Sequence, residues 1–151
     1  MWTKKNSVSL SLIVTRIIMV LCLGVAAGVP FLITSRAFYY VGGIRTGMEP
    51  AMPVVIYLCL IPAFILLFSL DNLLRNIKND EVFIYKNVKS LRIISWACFS
   101  VAIILLFAGI FVSLPFFVVS AAAGFFGLII RVVKNVIEAA VDLKNENDFT
   151  I

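Results

Sequence analysis

The sequence predicts an all-α fold: a four-helix transmembrane bundle with cytoplasmic helical extensions. Three observations carry this expectation. First, residues 17–33, 51–70, 93–114 and 115–130 are four apolar stretches. Each is near the ~20 residues that a helix needs to cross a ~30 Å hydrocarbon core, or reaches that length with its flanks. Second, 62% of the chain is hydrophobic and only 14% charged, against about 45–50% apolar and ~25% charged in a soluble domain. Third, the cations are segregated. Lys4, Lys5, Arg16, Arg75, Lys78, Lys86, Lys89, Arg92, Arg131, Lys134 and Lys144 fall on one side of a four-span topology, and Arg36 and Arg45 on the other. Lys and Arg favour the cytoplasmic side, so both termini are expected there. A basic surface of this kind faces anionic lipid. Direct nucleic-acid binding is not expected, because four spans and their connections use almost the whole chain. The expected organisation is one integral membrane domain over residues 1–151, with spans at about 8–34, 51–71, 92–113 and 115–133 and a cytoplasmic tail over 134–151.

The first helix follows a short polar lead. Lys4 and Lys5 resemble the basic end of a signal peptide, but the apolar run continues to Ile33, longer than a usual signal core. It is expected to remain as a span. Arg16 lies two turns inside it. The apolar centres of the other spans hold no carboxylate, so Arg16 is expected to extend its stem to the headgroups; an intramembrane ion pair is the alternative. Gly24 and Gly28 form a GxxxG pair, which permits close backbone approach. Ser120, Ala123, Gly124 and Gly127 offer matching small positions on the fourth helix. Packing of helices one and four within a monomer is the expectation, with a homodimer through Gly24 and Gly28 as the rival. The outer connection, residues 35–50, holds Phe38, Tyr39 and Tyr40, which suit an interfacial anchor.

The second helix carries Pro53 near its start and Pro62 near its middle, where a missing N–H favours a kink. Asp71 and Arg75 stand four apart and are placed to pair. Asn79-Asp80-Glu81 breaks the helix, and Phe83 and Ile84 can dip into the interface. The third helix is expected from about Lys86 or Asn87 to Ser113. Ser113-Leu114-Pro115 is a short uncharged turn, which makes helices three and four a tight antiparallel hairpin. The fourth helix continues past Arg131. Val133, Val136, Ile137, Ala140 and Val141 follow helical spacing, with Lys134, Glu138 and Asp142 off that face. This amphipathic extension is expected to end near residues 144–145 and to dock on the connection between Asp71 and Arg92.

Several chemistries lack their parts. The chain has no histidine, which removes a His-based serine protease and the HExxH zinc site. Cys22, Cys59 and Cys98 lie on three different stretches without a CxxC pair, and read as small apolar packing residues. An aspartyl intramembrane protease needs two aspartates at membrane depth, and a proton-coupled exporter needs a carboxylate within a span; only Asp71 approaches one. No catalytic, metal or cofactor site is expected.

Two segments resemble a known family. They are Leu73-Leu74-Arg75-Asn76-Ile77, followed by Val82-Phe83, Asn87 and Leu91-Arg92, and Ile137-Glu138-Ala139-Ala140 through Leu143-Lys144-Asn145-Glu146-Asn147-Asp148-Phe149-Thr150-Ile151. Together with four spans, they resemble the bacterial family "domain of unknown function 2975" over nearly the whole chain. The ending from Glu146 to Ile151 is the most specific part, although the family more often has Leu where Phe149 stands. The resemblance implies a small integral protein of the bacterial cell membrane without an established activity. It also implies a possible partner, since genes of the family often sit beside one for a small helix-turn-helix regulator. It assigns no catalytic residue. The expected function is that of a non-enzymatic adaptor or sensor acting with a cytoplasmic regulator. Its expected partner surface is Asp71, Arg75, Phe83, Lys86, Lys89, Glu138, Glu146 and Asp148, with Glu146 and Asp148 held beside Lys86 and Lys89. The alternative is a small transport, permeability or toxin-protection protein of the membrane.

Overall fold

The computed structural model describes residues 4–33, 44, 47 and 50–148. Apolar periodicity without strand-like alternation yields four helices: α1 (Lys4–Ile33), α2 (Ala51–Lys78), α3 (Tyr85–Phe111) and α4 (Pro115–Asp148). All four are long and apolar enough to cross a membrane. The fourth runs beyond its expected end near residues 144–145. Its closing segment contains no Gly or Pro to stop it. Most of the aromatic outer connection lies outside the described residues.

The helices pack serially. Among the described residues α1 touches α2, α2 touches α3, and α3 touches α4, while α1 and α4 do not meet. α3 is therefore the central element. Of its most apolar window 39% is buried, against 17% for α1, 17% for α2 and 11% for α4. Leu73 of α2 and Leu91, Ile94 and Cys98 of α3 form a core cluster that Ile130 and Ile137 of α4 join from the other side. The outward faces remain apolar. Ile61 is 61% exposed, Phe107 56% and Val118 72%, a surface that water does not favour and hydrocarbon does.

This arrangement corrects the expected packing of helix one on helix four. A side chain built at Gly24 or Gly28 meets nothing within 4 Å. The small residues of α4 are instead occupied by α3. Ser120 donates to the Ala102 carbonyl at 2.6 Å. A Cβ on Gly124 would lie 3.8 Å from that of Ala102, and one on Gly127 3.2 Å from that of Cys98. The short turn after α3 places its sequence neighbour against it, so α4 commits its small residues to α3. A residue the spacing did not single out sets the closest approach: a Cβ on Gly109 would stand 2.8 Å from the Phe117 backbone nitrogen.

Turn chemistry fixes both described connections. At the end of α2, Asp80 takes left-handed backbone at φ 63°. The Asp80 N–H donates to Ile77 at 3.1 Å and the Glu81 N–H to Asn76 at 3.0 Å. This is the Schellman pattern, with Asp in the place glycine usually takes. Between α3 and α4 the N–H groups of Val112 and Ser113 both donate to the Ala108 carbonyl, at 2.8 and 3.1 Å.

Pro30 stands inside α1, where its missing N–H deprives the Ala26 carbonyl of its helical donor. The Tyr57 hydroxyl of α2 donates to that carbonyl at 3.0 Å. In apolar surroundings an unpartnered carbonyl is costly, so a proline in one helix and a tyrosine in the next form a matched pair. Tyr57→Phe is expected to cost about 1 kcal/mol, and to cost less in a Pro30→Ala background; a double-mutant cycle of unfolding in detergent measures the coupling. The same assay checks the packing. Gly109→Ala is expected to lose about 1–3 kcal/mol by overpacking, whereas Gly24→Leu and Gly28→Leu leave stability unchanged.

Candidate functional site

Polar and charged side chains concentrate at one end of the molecule, where α2 turns into α3 and where α4 extends past its apolar run. Three groupings organise this basic end.

The first is centred on Asp71. Its carboxylate is buried, with a side chain 8% exposed, and lies between two guanidinium groups. Arg75 Nε approaches Oδ2 at 2.7 Å, the pairing that the spacing predicts. Arg16 Nε approaches Oδ1 at 3.3 Å. Arg16, whose side chain is 58% exposed, therefore pairs across two helices with the one carboxylate expected near the membrane surface, a contact compatible with a stem extended toward the headgroups. The apolar centres contain no carboxylate, as expected, but Arg16 and Asp71 occupy the same level on adjacent helices. A buried carboxylate in this setting needs both charge and hydrogen-bond partners. Asp71 consequently does not belong to an exposed partner surface.

The second grouping is the turn from α2 to α3. Asn87, 1% exposed, accepts from Asn76 Nδ2 at 2.7 Å. Its own amide donates to the carbonyls of Glu81 and Val82, at 2.7 and 2.8 Å. One side chain thus satisfies three backbone or side-chain groups and fixes the turn in place. Asparagine is a poor residue for a helix interior because it competes for backbone groups. Two of them flanking a break were a readable signal, which the expected surface left out.

The third grouping joins α3 to α4. Tyr85 donates to Asp142 Oδ1. Arg92 Nη2 lies 3.4 Å from Glu138 Oε1, and Lys134 Nζ lies 2.6 Å from Glu138 Oε2. Deeper along the seam Ser95 Oγ donates to the Gly127 carbonyl at 2.9 Å, and the Arg131 guanidinium sits 5.6 Å from the centre of the Trp96 ring. The α4 extension is therefore fastened to α3. The fastening face shares Ile137, Ala140 and Val141 with the one expected and differs at Val133 and Val136. Ile130, Ile137 and the fully buried Val141 turn inward with Lys134 between them, while Val133 is 42% and Val136 64% exposed. Glu138 and Asp142 flank this face and pair with Arg92 and Tyr85 of α3.

Of the expected partner surface, Arg75, Phe83, Lys86, Lys89 and Glu146 are exposed, and Glu138 is half-buried between its two cations. Asp148 closes α4, and its side chain lies outside the described residues. Among the described residues no group of three or more Cys, Asp and Glu is placed to hold a metal ion. Asn87→Ala is expected to cost about 1–3 kcal/mol, because the Asn76 amide and two carbonyls lose their partner. Ser100→Ala, on an exposed position of the same helix, serves as the reference in the same unfolding measurement.

Neither a curated protein sequence nor a solved structure matches the chain. A family profile does match, over residues 37–151. The matched region takes in α2, α3 and α4 but not α1, so the family likeness is narrower than the nearly complete coverage that the sequence led us to expect. It includes Asp71, the Asn76–Asn87 turn and the whole α3–α4 seam. On this match the chain belongs to the family described as "Protein of unknown function (DUF2975)".

Proposed function

We propose that this protein is a multi-pass protein of the bacterial cell membrane, with both termini cytoplasmic, and that it acts as a non-enzymatic adaptor or sensor for a cytoplasmic regulator. One observation carries the reading: α4 is a single uninterrupted helix from Pro115 to Asp148, 34 residues long. At 1.5 Å per residue it extends about 51 Å, well beyond a ~30 Å hydrocarbon core. A rigid rod that leaves the bilayer and is tied to α3 through Tyr85, Arg92 and Glu138 carries a displacement within the spans to its outer end. The segregated Lys and Arg residues support the cytoplasmic assignment of that end. By its family resemblance the partner is a small helix-turn-helix regulator, and the acidic Glu146 and Asp148 suit a basic surface on it. Signalling of this kind requires the partner to bind the two positions of α4 with different affinity.

The transport alternative gains no particular support. α1 and α4 do not meet among the described residues, so these helices do not close around a path. Deleting residues 146–151 is expected to leave membrane insertion intact and to reduce recovery of the neighbouring regulator in co-purification. Tyr85→Phe combined with Asp142→Asn should reduce it as well, by loosening the extension without shortening it. Equal recovery from all three proteins, or none from any, would overturn the adaptor reading.

A further inference from the structure

The α3–α4 seam opens on a small polar pocket of about 70 Å³, lined by Arg92, Ser95, Trp96, Arg131 and Lys134. Three cations thus converge on one hollow, and Glu138 is the one carboxylate paired with any of them among the described residues. That carboxylate is shared by Lys134 at 2.6 Å and Arg92 at 3.4 Å, while Arg131 has no acidic partner among the described residues. Ser95 spends its proton on the Gly127 carbonyl, so the donors offered to a ligand are guanidinium and ammonium groups. These are the donors that recognise phosphate oxygens.

A second hollow adjoins the first. A groove of about 290 Å³ runs along α3 toward α2, lined by Pro62, Ile65, Ile93, Ala97 and Ser100 together with the same Arg92 and Trp96. It leads from Arg92 toward Ser100, into the apolar part of the helix. Arg92 and Arg131 each stand where an apolar run meets the basic end, the level of lipid headgroups if these helices span a bilayer. Trp96 beside them is a residue typical of that level. A free phosphate ion would use the pocket and leave the groove without a role. A phospholipid uses both.

We propose that this paired site binds one anionic phospholipid, its phosphate among Arg92, Arg131 and Lys134 and an acyl chain in the groove beside Trp96. Basic pockets between membrane helices take such headgroups. The cationic excess disfavours a zwitterionic lipid, whose ammonium group would meet the same cations. This inference does not depend on the adaptor reading and stands or falls separately from it.

Trp2→Phe leaves Trp96 as the one tryptophan of the chain, and therefore as a reporter within the site. The full-length variant, reconstituted in bilayer discs, is titrated with phosphatidylglycerol brominated on its acyl chains and, separately, with brominated phosphatidylcholine. Quenching of Trp96 is expected to reach its midpoint at a several-fold lower mole fraction of the anionic lipid. Arg131→Gln and Lys134→Gln should each weaken that preference roughly fivefold, the worth of one cation at a membrane surface. Arg131→Lys and Lys134→Arg, which keep the charge, should retain it; circular dichroism confirms that each variant is folded. Equal quenching by the two lipids, or an unchanged preference in the Gln variants, would overturn the proposal. So would a saturable shift of Trp96 emission with inorganic phosphate but no selective quenching by lipid, which would assign the pocket to a free anion.

Discussion

The contact between α3 and α4 is the interaction on which the rest of the structure depends. It is built at near-backbone distance. Gly109 admits the first turn of α4, and Gly127 admits the side chains of Cys98 and Phe99. Where hydrocarbon rather than water surrounds helices, apolar burial no longer drives association. Close packing and interhelical hydrogen bonds do. Both operate here, since Ser95 and Ser120 each donate to a carbonyl of the facing helix. The resulting pair is the platform onto which α2 packs, and α1 is attached only through α2.

Satisfaction of polar groups explains several otherwise unrelated residues. Tyr57 answers the carbonyl that Pro30 leaves without a donor, Asn87 answers the end of α2, and Arg16 and Arg75 answer Asp71. The first two lie where the regular helical bonding fails, at a proline and past the end of α2, and the third compensates a buried carboxylate. α1 participates through Arg16 and Ala26, yet it lies outside the residues that match the family. The helix most weakly attached to the fold is thus also the one outside the matched region.

At the basic end, apolar packing and polar pairing coincide in one orientation of α4. The helical spacing predicts Val133 and Val136 on the inward face beside Ile137 and Val141. The buried seam is Ile130, Ile137 and Val141, with Glu138 and Asp142 beside it on Arg92 and Tyr85. The same orientation brings Arg131 and Lys134 beside Arg92 and Trp96, which creates the polar pocket. The fastening of the extension and the gathering of cations are two results of one helix orientation.

The sequence by itself determined the number of helices, their approximate limits, the hairpin at Pro115 and the pairing of Asp71 with Arg75. These are local properties: apolar length, turn residues and i,i+4 spacing act within one segment and are readable from it. It also held the two segments that identify the family. The tertiary structure alone decided which helices meet, that Gly24 and Gly28 stay uncovered while Gly109 does not, and that Arg16 reaches Asp71 across 55 residues of chain. Small residues permit close approach on any helix, and their spacing does not name the partner. A short turn between α3 and α4 does, because it commits those faces to each other before any other helix can compete. The pocket around Arg131 was out of reach for the same reason: its cations come from two helices, and only the rotation of α4 places them together.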